Sequence, residues 1–246
     1  MKNINLILAW LVHIFTASGL IVGLYSIISI VNGDYSLLLK LTVIGLIIDG
    51  IDGTMARKLK VKELIPEIDG ALLDNITDYI NYTFIPVIFF YLGEFIEEKY
   101  KVAICIGILL SSAYQFSRID AKTNDNYFRG FPSLWNIFVI LNIIFKIEQI
   151  INLVMILICI VISFVPIKFI YPSKTKELKK ITIPITIISC LIFVVSIFLD
   201  LSTTALKISK TILILYFAYL TLASIYLTYK TKIDDNNAYK HNNRIY

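Results

Sequence analysis

Long apolar runs broken by short polar stretches set the pattern of this chain. Eight runs stand out, at about residues 6–31, 35–51, 72–93, 102–117, 131–147, 150–171, 181–199 and 211–229. Each is at or near the length that crosses the hydrocarbon core of a bilayer as a helix. Backbone N–H and C=O groups in lipid must be satisfied internally, so the runs predict helices despite their many isoleucines. A membrane barrel is excluded, because the alternation of polar and apolar positions it requires is missing. The expected fold is therefore all-α, a polytopic membrane helix bundle of about eight transmembrane helices. It forms one domain over residues 1–230, followed by a polar tail, 231–246, expected to lack fixed structure.

Composition and charge sharpen this picture. The chain is 57% hydrophobic with a mean hydropathy of +0.77, more than a soluble domain needs, and most charges lie between the runs. With the N-terminus on the cytoplasmic side, 17 basic residues fall on that side and five on the other, with Lys40 inside the second run. This asymmetry predicts that both termini are cytoplasmic. The formal charge of +5 suits contact with anionic membrane lipid. No nucleic acid is expected, since no finger, basic helix or aromatic platform is present. The first run begins like a signal peptide but continues to Val31, which is too long for a cleaved segment. Cys105, Cys159 and Cys190 lie singly in apolar runs and read as buried filler rather than a disulfide or zinc site.

The candidate chemistry lies in DGIDGTMARKLKVKELIPEIDGALLDNITD, from Asp49 to Asp78. Asp49 and Asp52 are three residues apart and Asp74 and Asp78 four, so each pair shares a helix face beside an apolar run. Charge there is costly unless paired, wetted or bound to metal, which marks a functional site. Two such pairs on facing helices supply oxygen ligands for hard divalent cations, Mg²⁺ or Mn²⁺, and two ions would clamp phosphates. Gly53 leaves room for close approach, Ala56 follows Asp52 by one turn, and Arg57 offers a fork of donors to phosphate. The structural alternative is a hairpin whose acids pair with Arg57, Lys58 and Lys60. The count of basic residues puts this hairpin on the cytoplasmic side.

Tyr82 follows Asp78 by four residues and Asp74 by eight, so it is expected on their face; Tyr79 is its neighbour, and both also suit an interfacial anchor. Pro86 predicts a kink. Gly19 and Gly23 form a small-residue seam, read as intramolecular packing with a homodimer seam as the alternative. His13 reads as a packed, hydrogen-bonded histidine. Arg118 and Arg129 are candidate contacts to phosphate or a lipid headgroup, or positive-inside charges; Asp120 and Asp125 read as solvated. Gly130, Pro132 and Ser133 signal a helix start, with Trp135 and Asn136 just inside it.

Asp49, Asp52, Gly53, Ala56, Arg57, Gly70, Asp74 and Asp78 together resemble the signature of the CDP-alcohol phosphatidyltransferase family, DxxDGxxAR followed by GxxxDxxxD. The twelve residues between Arg57 and Gly70 exceed the usual spacer, which puts the shape of the substrate pocket in question. VKELIP, LLDNITDYINY, RGFPSLWN and FVPIKFIYPS are similar to a bacterial branch of the family whose acceptor is choline. The resemblance implies a six-helix core plus two further helices in a bacterial inner membrane. It implies transfer of the phosphatidyl group of CDP-diacylglycerol to choline, with CMP released and two divalent ions, Mg²⁺ or Mn²⁺, as cofactors. By position, Asp49, Asp52, Asp74 and Asp78 would hold metal, with Asp78 also the general base. Asp49, Asp52, Gly53, Ala56, Arg57 and Gly70 would bind the CDP moiety. Because a quaternary ammonium has no N–H to donate, aromatic faces suit the choline head. Tyr82 is the leading candidate, Tyr79 and Trp135 are weaker ones, and Asn81 is placed to orient the hydroxyl. The rival readings are transfer to serine, glycerol phosphate or inositol phosphate, and, outside enzymes, a cation transporter.

Overall fold

The computed structural model describes residues 2–123, 125–172, 174–198 and 203–242. Ten helices run along the described chain: α1 Lys2–Val31, α2 Tyr35–Lys58, α3 Val61–Leu64, α4 Gly70–Tyr79, α5 Ile85–Leu92, α6 Glu98–Ser117, α7 Trp135–Phe145, α8 Gln149–Phe164, α9 Lys179–Phe198 and α10 Thr203–Asn242. A π-helical segment, Ile80–Phe84, joins α4 to α5, and two short strands, β1 Tyr127–Arg129 and β2 Lys168–Ile170, complete the list. The chain divides into two units. The first contains residues up to Phe116 together with Ser133–Leu157, and the second contains Ser117–Pro132 and the chain from Ile158 onward.

In the first unit α1 is the helix on which α2, α4 and α5 are mounted. Its sequence is apolar all round, but its inward line is Ala9, Val12, His13, Thr16, Gly19, Gly23, Ser26 and Ile30, spaced three or four apart and buried. Small residues let backbones approach where lipid provides no hydrophobic drive for helix association. A Cβ on Gly19 would lie 2.6 Å from Cγ2 of Thr77, and one on Gly23 would lie 3.1 Å from Cδ1 of Ile85. The glycine pair therefore serves packing within the chain. Asn81 fastens the seam, its amide donating to the carbonyls of Gly19 at 3.1 Å and Thr77 at 3.0 Å.

The long spacer after Arg57 is not a loose insertion. α2 ends at Lys58, Lys60 turns through a left-handed backbone at φ 51°, and the short α3 follows. Val61 and Ile65 are buried against Ala9 and Val12 of α1, with Met55, Ala56, Leu59 and Ile68 packed around them. The spacer thus fixes the end of α2 to the start of α1. Asp69 then caps α4, accepting from the N–H groups of Ala71 and Leu72 at 3.0 and 3.1 Å.

Among the described residues three helices are long and apolar enough to cross a membrane, Ile4–Val31, Lys179–Phe198 and Leu206–Lys230, with Trp135–Phe145 and Gln149–Phe164 shorter apolar helices. The remaining expected runs differ for identifiable reasons. α2 continues through the acidic motif to Lys58, and α6 starts with Glu98, Lys99 and Lys101. The third run is interrupted by the π segment, where Pro86 has no N–H to return to Tyr82. Pro86 therefore accompanies a wider turn, just upstream of it. The fifth run becomes helical only at Trp135, and the sixth stops at Phe164 rather than 171.

The second unit departs from a purely helical expectation. β1 and β2 pair antiparallel, with Tyr127 opposite Ile170 and Arg129 opposite Lys168. On the free edge of β2, the N–H groups of Lys168 and Ile170 donate to the hydroxyls of Thr228 and Ser224 on α10, both at 3.0 Å. These side chains occupy an edge that would otherwise invite another strand. Gly130 follows β1 at φ +78°, and a Cβ there would lie 2.6 Å from the Ser163 carbonyl oxygen, so the ribbon admits only glycine. α10 carries on to Asn242, so the expected unstructured tail is helical that far. Ser173, Leu199 and residues 243–246 of the expected elements lie outside the described residues.

Candidate functional site

Asp49 near the end of α2 and Asp74 and Asp78 on α4 converge, each offering a carboxylate oxygen within 4.8 Å of the others. All three side chains are half-buried. Three like charges at this spacing repel strongly unless protons or a cation offset them, and carboxylate oxygens are the donors hard divalent cations prefer. The donor set fits Mg²⁺ or Mn²⁺.

Tyr82 is the support for this group. Buried to 6% exposure, it donates its hydroxyl to Oδ2 of Asp49 at 2.7 Å. Its hydroxyl thereby fixes one of the three carboxylates. A bond of this kind orients a metal-binding oxygen from the second layer.

Asp52 is not among the three. It is buried, accepts from the Thr16 hydroxyl at 2.9 Å on Oδ2, and accepts from the Gly53 N–H on Oδ1. Thr16 lies 36 residues from Asp52, and no short-range pattern in the sequence identifies it as the partner. Arg57 extends along its own helix, its guanidinium donating to Thr54 Oγ1 at 3.2 Å, and a Cβ on Gly53 would lie 3.2 Å from it. Ala56 belongs to the packed cluster under α3. Gly70 opens α4 against His13, whose ring would lie 3.2 Å from a Cβ there. His13 is packed as expected, but its Nε2 has no hydrogen-bond partner among the described residues.

The other expected acceptor-side residues have settled positions. Tyr79 turns to α6, donating to the Leu109 carbonyl at 3.3 Å with its ring edge-on to Phe116. Trp135 is fully buried and donates its indole N–H to Ser112 at 2.8 Å. Asn81 gives its amide to the helix seam, as described above. In the second unit Asp120 accepts from both Arg118, at 2.7 Å, and Arg129, at 2.6 Å. Its carboxyl is held below the usual range, first by the hydrogen bond from Arg118. Asp125 pairs with Lys168 at 2.6 Å. Both acids are solvated loop residues, as expected, and each also pairs with basic side chains.

With two carboxylate helices, a hard-oxygen site and an apolar bundle in place, the class of protein follows. A family model described as CDP-alcohol phosphatidyltransferase matches residues 9–187, and the chain belongs to that family. Among individual proteins, it is 91% identical over 232 residues to a phosphatidylcholine synthase of Borreliella burgdorferi, covering 94% of this chain and 99% of that one. It is 44% identical over 167 residues to a phosphatidylcholine synthase of Legionella pneumophila, covering 68% of this chain and 66% of that one. A phosphatidylcholine synthase of Pseudomonas aeruginosa is 35% identical over 188 residues, 76% of this chain and 79% of its own length.

Proposed function

We propose that this protein transfers the phosphatidyl group of CDP-diacylglycerol to choline, forming phosphatidylcholine and releasing CMP. The observation that carries this reading is 91% identity, over nearly the whole of both chains, to a phosphatidylcholine synthase. The acidic hairpin gives the reading its chemistry. In the reaction the choline oxygen forms a bond to the phosphatidyl phosphorus, the bond from that phosphorus to CMP breaks, and the choline hydroxyl loses its proton.

Asp78 is assigned as the base that receives this proton, and Asp49 and Asp74 as the carboxylates that hold divalent metal with it. A bound Mg²⁺ or Mn²⁺ supplies stabilisation of charge on the phosphoryl oxygens and the departing CMP. Asp52 is assigned to the same ligand set from its place in the motif, and in the structure its carboxylate is held by Thr16. Gly53, Ala56, Arg57 and Gly70 are assigned to the CDP side. Tyr82 keeps Asp49 aligned and places an aromatic ring near the acceptor, where a quaternary ammonium is favoured by about 0.5 to 2 kcal/mol. Tyr79, Asn81 and Trp135 shape the surrounding helices. Arg118 and Arg129, both paired with Asp120, are assigned to an anionic phosphate or lipid headgroup.

The experiment is purified protein supplied with CDP-diacylglycerol and a panel of labelled alcohols. Choline is expected to be used well ahead of serine, inositol phosphate and glycerol phosphate. Equal use of serine and choline overturns the acceptor assignment, and a protein that moves cations without making CMP turns the reading toward a transporter.

Eight spans in a bacterial inner membrane, with both termini and the acidic hairpin cytoplasmic, complete the proposal. Its support is the split of 17 basic residues against five. A cysteine introduced at Asn32 is expected to label from outside intact cells and one at Lys176 only after permeabilisation. The reverse pattern sinks the orientation.

A further inference from the structure

A small cavity is lined by Ser26 of α1, Thr42 and Gly45 of α2, Asn81 and Tyr82 of the π segment, and Asn136 of α7. Its volume, about 10 Å³, is that of a single water. Most of its polar lining has only lone pairs to offer. Ser26 donates its proton to the Val22 carbonyl at 2.9 Å, Thr42 to that of Leu38 at 2.8 Å, and Tyr82 to Oδ2 of Asp49 at 2.7 Å. Asn81 gives its amide to the carbonyls of Gly19 and Thr77.

Asn136 is the opposite case. It is 2% exposed, and its Oδ1 accepts from the N–H of Ile137 at 3.0 Å, which fixes which way the carboxamide faces. Its Nδ2 is enclosed and has no hydrogen-bond partner among the described residues. An enclosed donor left in this way is costly. One donor among several acceptors is the complement of a water molecule, which accepts from the first and donates to two of the others. A cation would suit the oxygens but would meet the N–H groups of Asn136, and the volume excludes a larger molecule.

We propose that this cavity holds one buried water, which accepts from Asn136 and donates to the hydroxyl oxygen of Tyr82, and that Asn136 is thereby a positioning residue for the metal centre. The hydrogen bonds then run in one direction, from Asn136 through the water and the Tyr82 hydroxyl to Oδ2 of Asp49. Bonds in such a chain polarise and strengthen one another. The second proton of the water goes to Ser26 or Thr42. In this way α7, which carries none of the acidic motif, is tied to one of the three converging carboxylates. The inference rests on the reading of Asp49, Asp74 and Asp78 as a metal site.

The test is a double-variant cycle read as metal binding in the absence of substrate. The Mn²⁺ dissociation constant is measured from the free-ion electron paramagnetic resonance signal for wild type, Asn136→Leu, Tyr82→Phe and the double variant. Asn136→Ala runs in parallel as a smaller replacement. Asn136→Leu keeps the approximate shape and removes the donor, and it is expected to weaken Mn²⁺ binding about 2-fold to 10-fold, the worth of one hydrogen bond. In the Tyr82→Phe background the same change is expected to add nothing, because the chain to Asp49 is already cut. Unchanged Mn²⁺ affinity in both Asn136 variants overturns the proposal. Weakening of the same size with and without the Tyr82 hydroxyl also overturns it, since Asn136 is then a packing residue. A wild-type protein that binds no Mn²⁺ defeats the metal reading itself; one that binds Mn²⁺ and is matched by its Asn136 variants defeats the water chain alone.

Discussion

Asp78→Asn is expected to lose roughly 10²-fold or more in turnover while keeping most of its affinity for CDP-diacylglycerol. The asparagine has the same shape and still presents one oxygen toward Asp49 and Asp74, so the assembly of α2 against α4 is retained. What it cannot do is take a proton from the incoming hydroxyl. General-base catalysis contributes about 10² to 10⁴ in rate, so its removal should dominate the change. The measurement is turnover and donor binding on the same preparation. Near-normal turnover refutes the base assignment, and equal loss of binding and turnover reduces Asp78 to a ligand.

Asp49→Asn is expected to be nearly as damaging, for a different reason. Asp49 is one of three converging carboxylates and also the acceptor of the Tyr82 hydroxyl at 2.7 Å. Its neutralisation removes a charge from the metal-binding set and weakens the bond that aligns what remains. Residues that only support a metal ligand cost about 10-fold to 100-fold when altered, and a ligand itself should reach or pass the upper end. Tyr82→Phe isolates the support: the ring stays, the hydroxyl goes, and the Mn²⁺ concentration for half-maximal activity should rise about 10-fold. Metal titrations of the three proteins check this ordering. A Tyr82→Phe titration that overlays wild type removes the supporting role, and an Asp49→Asn titration that does so removes the ligand.

The parts of this site that are local in sequence are legible there. Spacings of three and four place Asp49 with Asp52 and Asp74 with Asp78 on helix faces. The Gly19 and Gly23 seam is readable for the same reason. What separates Asp52 from the other three carboxylates is a hydroxyl on another helix, Thr16, and helix spacing says nothing about partners that distant. Tyr82 stands with Asp74 and Asp78, as its spacing from them predicts, but its bond to Asp49 on the neighbouring helix is a contact that spacing within one helix cannot supply. Uniform hydrophobicity conceals which face of α1 is inside, since lipid-facing and packed faces are both apolar and only the small and polar residues distinguish them. Strands of three residues are too short to show a period, which hid the ribbon of 127–129 with 168–170.

The claim on which the account turns is that Asp49, Asp74 and Asp78 form one divalent-metal centre. The direct measurement is the free Mn²⁺ signal in electron paramagnetic resonance as purified protein is titrated with Mn²⁺. It compares wild type with a variant in which all three aspartates are asparagine, each shown to unfold at a similar temperature. Wild type should deplete the free-ion signal saturably and the variant should leave it unchanged; equal depletion by both proteins would contradict the assignment.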